Sequence, residues 1–568
     1  MKTKSKYFLV LALSAMLATG CQMDTEPIAG FTQEQLNNSE DRLDLLSAAV
    51  KRMMQNITSS SLYYNCGYPG LMIVRDVICA EMPVQSVSYD YLNWWSEGTY
   101  LGKSWGVSSD PWNFYYDLIK RANLVMAVAQ PSLDSTPEQL EKIGSTLCYR
   151  AMAYMDLVRL YEYQATGFAQ LDDEATYGIT VPLVTEFTTE DMARNNPRAP
   201  FYKMYRFIMH DLNLAQFFLQ GSMPSHKNDA GIGVAYGLKA RMWLEMGTRF
   251  ERHPEDLKTQ IEHENDADLA TYDKLGISSA KECYEQSANY AAKAIALAYR
   301  PVTEQQWYDL NTGFNKANEA WMWAVQYGTD DVTQTYKHYI GFLAPEAMYG
   351  VANINYWANR LIDADLYKKV PPADWRCRTW IAPGDAGKES AWRNYTTHYS
   401  AKDWAGFAPL SSFKFRPGSG DINNYKVGNA VDVPLMRIEE MYLIRAEAVA
   451  RSRGLAAGQA LLEEFLNTYR YNEHDYKSTA TTLDEFITEV LDQKRIEFWG
   501  EGIVFWDYKR TGRAIVRDYA GTNHPSTYQM HSREGFAAPW ANFVIPRNEE
   551  QYNFGMTTNN PDPSGVHD

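Results

Sequence analysis

The sequence predicts a mostly α protein built from helical hairpins, with one loop-rich, aromatic-rich region in its second half. Three observations lead there. Apolar residues recur at spacings of three and four through most of the 568 residues, behind recognisable helix caps. Between about residues 301 and 432 that rhythm fades, broken at Pro371-Pro372, Pro383-Gly384 and Pro417-Gly418. Eight of the 16 tryptophans fall in that same stretch.

The chain opens on a sorting address. Lys2, Lys4 and Lys6 precede an apolar run from Tyr7 to Ala18, which is too short for a comfortable membrane span and has the layout of a secretory signal. It ends Leu17-Ala18-Thr19-Gly20-Cys21, which resembles a bacterial lipobox with Leu one place further out than usual. Diacylation of Cys21 plus an amide-linked chain would give several acyl anchors, enough for stable attachment. Removing residues 1–20 takes away three lysines and no acid, so the formal charge moves from −16 to −19.

Helices follow. Pro111 is expected to precede one, with Phe114, Leu118, Ala122, Val125 and Ala129 inward. Thr136-Pro137-Glu138-Gln139 is a capping box with Pro at the first helical position. Behind it Ile143, Leu147, Ala151, Tyr154, Met155 and Val158 share one face. Residues 200–220, 233–248 and 281–298 repeat the pattern, the last with Ala288, Ala291 and Ala292 for close packing. Arg437 to Ala450 forms another helix, with Glu447 and Arg451 as an i,i+4 pair, and Gly454 stops it. Leu455 to Tyr469 follows. Thr482-Leu483-Asp484-Glu485 then caps a helix that turns Phe486, Ile487, Val490, Leu491 and Phe498 inward. Helix pairs in succession suggest hairpins of the tetratricopeptide type, without the strict repeat consensus.

Composition excludes several classes. Seventy acids against 54 bases would repel a polyanion, and no basic cluster stands out. Hydrophobic content of 45% and aromatic content of 14% exclude a disordered chain. Apart from Cys21 there are five scattered cysteines, with no metal-type spacing, and a Cys66–Cys79 disulfide stays open. Gly231-Ile232-Gly233 with Gly237 lacks the third glycine of a dinucleotide loop and reads as a helix start. Glu439-Glu440 and Asp172-Asp173 are not a carboxylate pair across a cleft. No catalytic residue, cofactor or metal is assigned. His263 to Asp268 is oxygen-rich but lacks the EF-hand glycine and terminal Glu.

Two segments carry a family resemblance. Val433-Pro434-Leu435-Met436-Arg437-Ile438-Glu439-Glu440-Met441-Tyr442-Leu443-Ile444-Arg445-Ala446-Glu447-Ala448 resembles the P-x-x-R-x-x-E-x-Y-L-x-x-A-E-A segment of the SusD/RagB family. Arg495 to Gly502 with Phe505 to Arg510 resembles its R-x-x-E-x-x-x-E-G-x-R-F-x-D-x-K-R segment, with Val504 where that family often has Arg. Arg150 to Tyr154 with Leu157 to Tyr161, and Asn542 to Pro546 with Glu549 and Asn553, support it. The resemblance implies a tetratricopeptide-like scaffold with a variable loop region. It also implies an outer-membrane, lipid-anchored protein facing the cell exterior. Such a protein binds a nutrient, most often a glycan or oligosaccharide, and delivers it to a SusC-like TonB-dependent transporter, without being an enzyme. Residues 1–20 then read as the lipoprotein signal and 21–300 as a helical scaffold with an early aromatic loop. Residues 301–432 read as the variable region and 433–568 as the C-terminal helical segment. Arg437, Glu440, Arg445 and Glu447 read as scaffold ion pairs, and Glu501-Gly502 as a corner.

Ligand contacts are expected at Asn93, Trp94, Trp95 and Trp105, with Trp307, Tyr349 and Trp357 opposite. Related binders draw aromatic platforms from these regions, and sugar C–H faces pack on indole and phenol rings. A surface scaffold for peptide or protein ligands and a helical glycan-degrading enzyme remain as alternatives.

Overall fold

Helix caps written into the sequence operate as read. Thr136 and Gln139 close a reciprocal capping box, as do Thr482 and Glu485. Gly454 leaves the helical region at φ 103° and ends its helix. The computed structural model describes residues 41–55, 66–84, 92–129, 131–132, 135–335, 338–353, 360–395 and 401–568. The signal segment, Cys21 and Trp357 lie outside them. Residues from Leu46 to Asp568 form one unit.

The helices used below are α1 (Arg42–Met53), α2 (Tyr68–Ile78), α3 (Asn93–Glu97), α4 (Gly106–Ala129), α5 (Pro137–Tyr161), α6 (Phe201–Phe218) and α7 (Ile232–Arg252). They continue with α8 (Pro254–Glu262), α9 (Ala280–Ile295), α10 (Ala364–Lys368), α11 (Ile438–Arg453), α12 (Leu455–Tyr469), α13 (Leu483–Glu497) and α14 (Val504–Thr511). The long helices pack as a row: α4 on α5, α5 on α6, α6 on α7, α7 on α9, α9 on α11 and α11 on α12. Each amphipathic face is covered by the next helix, as in a solenoid. The inward residues of α5 and α13 are buried, as expected. Among the described residues no helix is long and apolar enough to cross a membrane.

Two details differ from the sequence reading, and a third concerns a pairing that the reading left open. Helix α4 starts at Gly106, so Pro111 lies inside it, and Trp105 accepts bonds from the amides of Ser108 and Ser109 in the opening turn. Among the described residues two short antiparallel ladders occur, β1 (Ile179–Pro182) with β2 (Arg198–Pro200), and β3 (Trp321–Val325) with β4 (Val433–Arg437). The second pair is buried along its full length, so it shows a continuous apolar run instead of alternation. It also brackets most of the loop-rich region, whose two ends therefore meet on the scaffold. Finally, Cys66, Cys79, Cys148, Cys283 and Cys377 are all free, so no Cys66–Cys79 bridge forms.

The motif charges are interior. Glu497, at the end of α13, accepts from Arg437 (3.0 Å), Arg470 (2.8 Å) and Arg376 (2.8 Å), and all four side chains are fully buried. Glu501 receives Arg437 (2.9 Å) and Lys414 (2.6 Å). Glu440 pairs with Arg241 (2.6 Å), and Glu447 with Arg510 (2.5 Å) and Arg451 (3.1 Å). Arg445 is half-buried and makes no ion pair among the described residues. Gly500 (φ 83°) and Gly502 (φ 65°) turn the corner beside Glu501, conformations that favour glycine. Below that corner lies Asp76, fully buried, with the Gly500 and Gly502 backbone as its polar neighbours and no cation in an ion pair with it among the described residues.

Two outcomes follow. Burial opposes the Glu497 charge, but the guanidiniums of Arg470, Arg437 and Arg376 hold its carboxyl well below the ordinary 4.5. Its contribution is complete above 4.5 and is lost as pH falls toward the folded value. Glu497→Gln is expected to lower unfolding free energy by about 3–5 kcal/mol at neutral pH, since three buried cations each lose one of their carboxylate partners. Urea melts should show the gap to the parent closing in acid. Asp76 is the opposite case. Burial, then the Glu81 charge, push its carboxyl well above 3.8. Stability is therefore lost as pH rises from 3.8 through the folded value. Asp76→Asn is expected to raise the urea midpoint at pH 7 and leave it unchanged at pH 3.

Candidate functional site

Helix α3 is short, and its placement comes from one buried cation. The Arg517 guanidinium donates to the carbonyls of Cys79 (2.9 Å), Val77 (3.1 Å) and Ile78 at the end of α2, and to Ser96 O (2.8 Å) within α3. It thereby satisfies carbonyls that a helix end leaves without partners. Burial draws its pKa down to about 10. Trp540 adds Nε1 to Ile78 O (2.9 Å).

Two adjacent tryptophans on α3 point apart, as neighbours about 100° apart on a helix must. Trp95 is 1% exposed and packs on Phe543, ring centres 5.8 Å apart. Trp94 is half-buried and meets Tyr100 at 5.8 Å and 49°. Tyr100 meets Trp105 edge-on at 4.7 Å and 64°, and Trp105 is 44% exposed. The three rings form a ledge whose open end is Trp105. Asn93, also half-buried, stands on the same helix.

The loop carrying Tyr100 is clamped by distant chain. Gly98, in the left-handed region at φ 64°, ends α3 and its carbonyl accepts the Gly565 amide (2.8 Å). The Leu101 amide donates to Ser564 Oγ (3.1 Å). Ser108 Oγ donates to the carbonyls of Leu101 and Gly102, both 2.9 Å. Lys103 O receives the Arg547 amide (2.9 Å), and its Nζ pairs with Glu550 (2.6 Å). An ordered ledge loses little entropy when a flat ligand settles on it. Offset indole and phenol faces suit the C–H face of a ring-shaped polar ligand.

The remaining expected contacts lie elsewhere. Trp307 is 1% exposed, set against Phe314 (4.7 Å) and Trp375 (5.4 Å), and its Nε1 donates to Thr379 Oγ1 (3.0 Å). Tyr349 is 7% exposed and its hydroxyl donates to Asp421 O (3.3 Å). The structure thus gathers Asn93, Trp94 and Trp105, and places Trp95, Trp307 and Tyr349 in the interior. Tyr100 joins the ledge without having been chosen from sequence. Its signal was its place in the aromatic run between Trp94 and Trp105. Among the described residues no group of three or more His, Cys, Asp or Glu could hold a metal.

Comparisons with known proteins agree with this architecture. Residues 378–561 match the SusD family. Among solved structures, a SusD-like carbohydrate binding protein from Bacteroides vulgatus superposes with TM-score 0.66 at 18% identity, covering 90% of this chain and 96% of its own. A SusD superfamily protein from Bacteroides thetaiotaomicron gives 0.64 at 16%, covering 92% and 99%. Surface glycan-binding protein A from Bacteroides thetaiotaomicron, in complex with laminarihexaose, gives 0.61 at 13%, covering 92% and 99%. A search of curated proteins returned no match. Residues 378–561 thus match the SusD family, and 90% of the chain shares the fold of a solved SusD-like protein.

The clamp on the ledge is testable at Gly102. A Cβ there would lie 2.3 Å from Asp562 Oδ2, and that carboxylate is held by the Ser564 amide (3.0 Å) and hydroxyl (2.6 Å). Gly102→Ala is expected to detach the loop from the tail at a cost of about 1 kcal/mol in stability. Hydrogen exchange at Thr99–Trp105 should quicken while exchange in α5 stays unchanged.

Proposed function

We propose that this chain is a lipid-anchored outer-membrane protein of the cell surface. It binds a glycan on the Trp94–Tyr100–Trp105 ledge and hands it to a SusC-like TonB-dependent transporter without cleaving it. The observation that carries this reading is Trp105, a large ring left 44% exposed on a loop that four separate backbone contacts hold in place. Trp105 is seated against Tyr100 on one side and keeps an open side on a held loop, which is the arrangement a stacked ring-shaped ligand needs. The carbohydrate assignment is supported by the relatives that share the fold, one of which holds laminarihexaose. The anchor at Cys21 is supported by the lipobox-like Leu17-Ala18-Thr19-Gly20-Cys21 and the basic, apolar segment before it.

A glycan array probed with residues 22–568 tests the reading. Trp94→Ala with Trp105→Ala is expected to weaken binding of the captured glycan by about 10²-fold or more, as for two lost stacking contacts. Trp307→Ala is expected to lower the melting temperature without weakening the folded protein's affinity, because that ring is interior. Product release from the captured glycan, or unchanged affinity in the double variant, would sink the proposal.

A further inference from the structure

A second cleft, separate in sequence from the ledge, opens beside α13. It has a volume of about 630 Å³, within the range of small-ligand sites (roughly 300–1,000 Å³). Three segments line it: the end of α10 with Lys369, the turn after α12 with Tyr471 and Tyr476, and one stripe of α13. Glu485, Thr488, Glu489 and Asp492 recur along that stripe at spacings of three and four, so a single polar face looks into the cleft.

The walls are pre-ordered. Asn467 clamps the Tyr476 backbone twice, with Oδ1 accepting its amide (2.8 Å) and Nδ2 donating to its carbonyl (3.1 Å). Gln459 Nε2 donates to Ala480 O (2.8 Å). The Tyr471 and Tyr476 rings meet edge-on at 5.1 Å. The charges are already partnered: Lys369 with Asp492 (3.0 Å), and Glu489 with the hydroxyls of Tyr476 and Ser478. A cation would have to compete with those partners. A hydroxyl would only have to use the spare lone pairs.

Gln493 supplies a second, independent observation. It is 6% exposed and lines the cleft. Its Oε1 is taken by buried Arg376 Nη2 (2.6 Å), which orients the amide. Nε2 makes no hydrogen bond among the described residues, which leaves a fixed donor at the cleft floor. That nitrogen opens onto the cleft, so an acceptor on a ligand can reach it.

We infer that this cleft is a second carbohydrate site. Gln493 Nε2 donates to a sugar oxygen, Glu489 and Asp492 accept sugar hydroxyls, and the half-buried Tyr476 covers a C–H face. The ligand class rests on the glycan reading above. Two sites on one chain would let a long polymer bind at both and gain avidity without new contacts.

Saturation-transfer NMR on the full chain with D-glucose, D-galactose and D-xylose tests the inference. Thr488→Tyr fills the cleft from a half-exposed helix position, and Trp105→Ala removes the open end of the ledge. Each variant is expected to remove part of the transfer and the double variant nearly all of it. Gln493→Ala in the Trp105→Ala background should weaken the remaining binding about tenfold. If Trp105→Ala alone abolishes transfer from all three sugars, the cleft is overturned and the ledge stands. If Thr488→Tyr alone abolishes it, the ledge is overturned and the cleft stands. Transfer that is absent from the parent, or unchanged in the double variant, overturns both.

Discussion

One buried carboxylate holds together parts of the chain that sequence keeps far apart. Glu497 sits at the end of α13 and receives three guanidiniums, from Arg376 in the loop-rich region, Arg437 at the junction of β4 and α11, and Arg470 at the end of α12. Removing so many charges from water is expensive, and their mutual attraction offsets the cost only when the geometry is complete. The cluster therefore acts as an all-or-none joint. If Arg376 is out of place, Asp374, Gln493 and Glu497 each lose a charged partner at once. This gives a loop region with little regular secondary structure a single address on a helical scaffold. Replacement by apolar residues of similar size could preserve stability, but it would not specify that address as narrowly.

The same logic governs the ledge. Helical solenoids bind through what projects from them, and projections need support from outside their own segment. Here α3 is only five residues long and has no side-chain cap at its start. Its support is the Arg517 guanidinium on one side and the tail around Ser564 and Gly565 on the other. Trp95 completes the anchoring by filling the core below, which frees Trp94 to face outward. The adjacent pair divides labour by helical phase alone: one ring holds the helix down and the next is presented.

Much of the scaffold was legible because its signals are local. A capping box, a Pro at N1 and a 3.6-residue apolar period all act within one helix, so α5, α11 and α13 could be read directly from the sequence. The ionic motif was legible as structure because Glu440 and Glu447 lie on a helix already read as part of the scaffold. What stayed hidden was non-local. The β3–β4 ladder joins residues more than a hundred positions apart, and its strands show no alternation because both faces are covered. Trp307 looked like a surface ring because its neighbourhood lacks helical rhythm. Yet the loop-rich region builds interior packing of its own, around Phe314 and Trp375 for Trp307, and around Trp404 with Ile381, Phe407 and Phe413 nearby. Irregular backbone is not the same thing as exposed backbone. Asp76 could not be read either, since nothing local distinguishes an acid destined for burial under a distant glycine corner.

That distinction points to how the irregular parts are stabilised at all. Buried loops leave carbonyls without ladder partners, and each must find a donor. This chain answers with cations that make no ion pair with a carboxylate among the described residues. Arg206 donates to the carbonyls of Leu269 (2.9 Å), Tyr272 (2.5 Å), Asp273 (3.2 Å) and Glu264 (3.0 Å), and so gathers the whole turn after α8. Lys509 spreads its protons over Leu160, Glu162 and Ala541, joining the end of α5 to the C-terminal segment. Arg517 does the same for α2 and α3. An arginine offers five donors in a fixed fork, more than any neutral side chain, so a single residue can close several loop carbonyls at once. Burial pulls Lys509 down to about 7, which shows the cost of keeping such a clamp charged. The cost is accepted where the backbone is least regular. In this protein the buried cations do for loops what hydrogen-bond ladders do for helices, and the ledge and its supporting corner exist because of them.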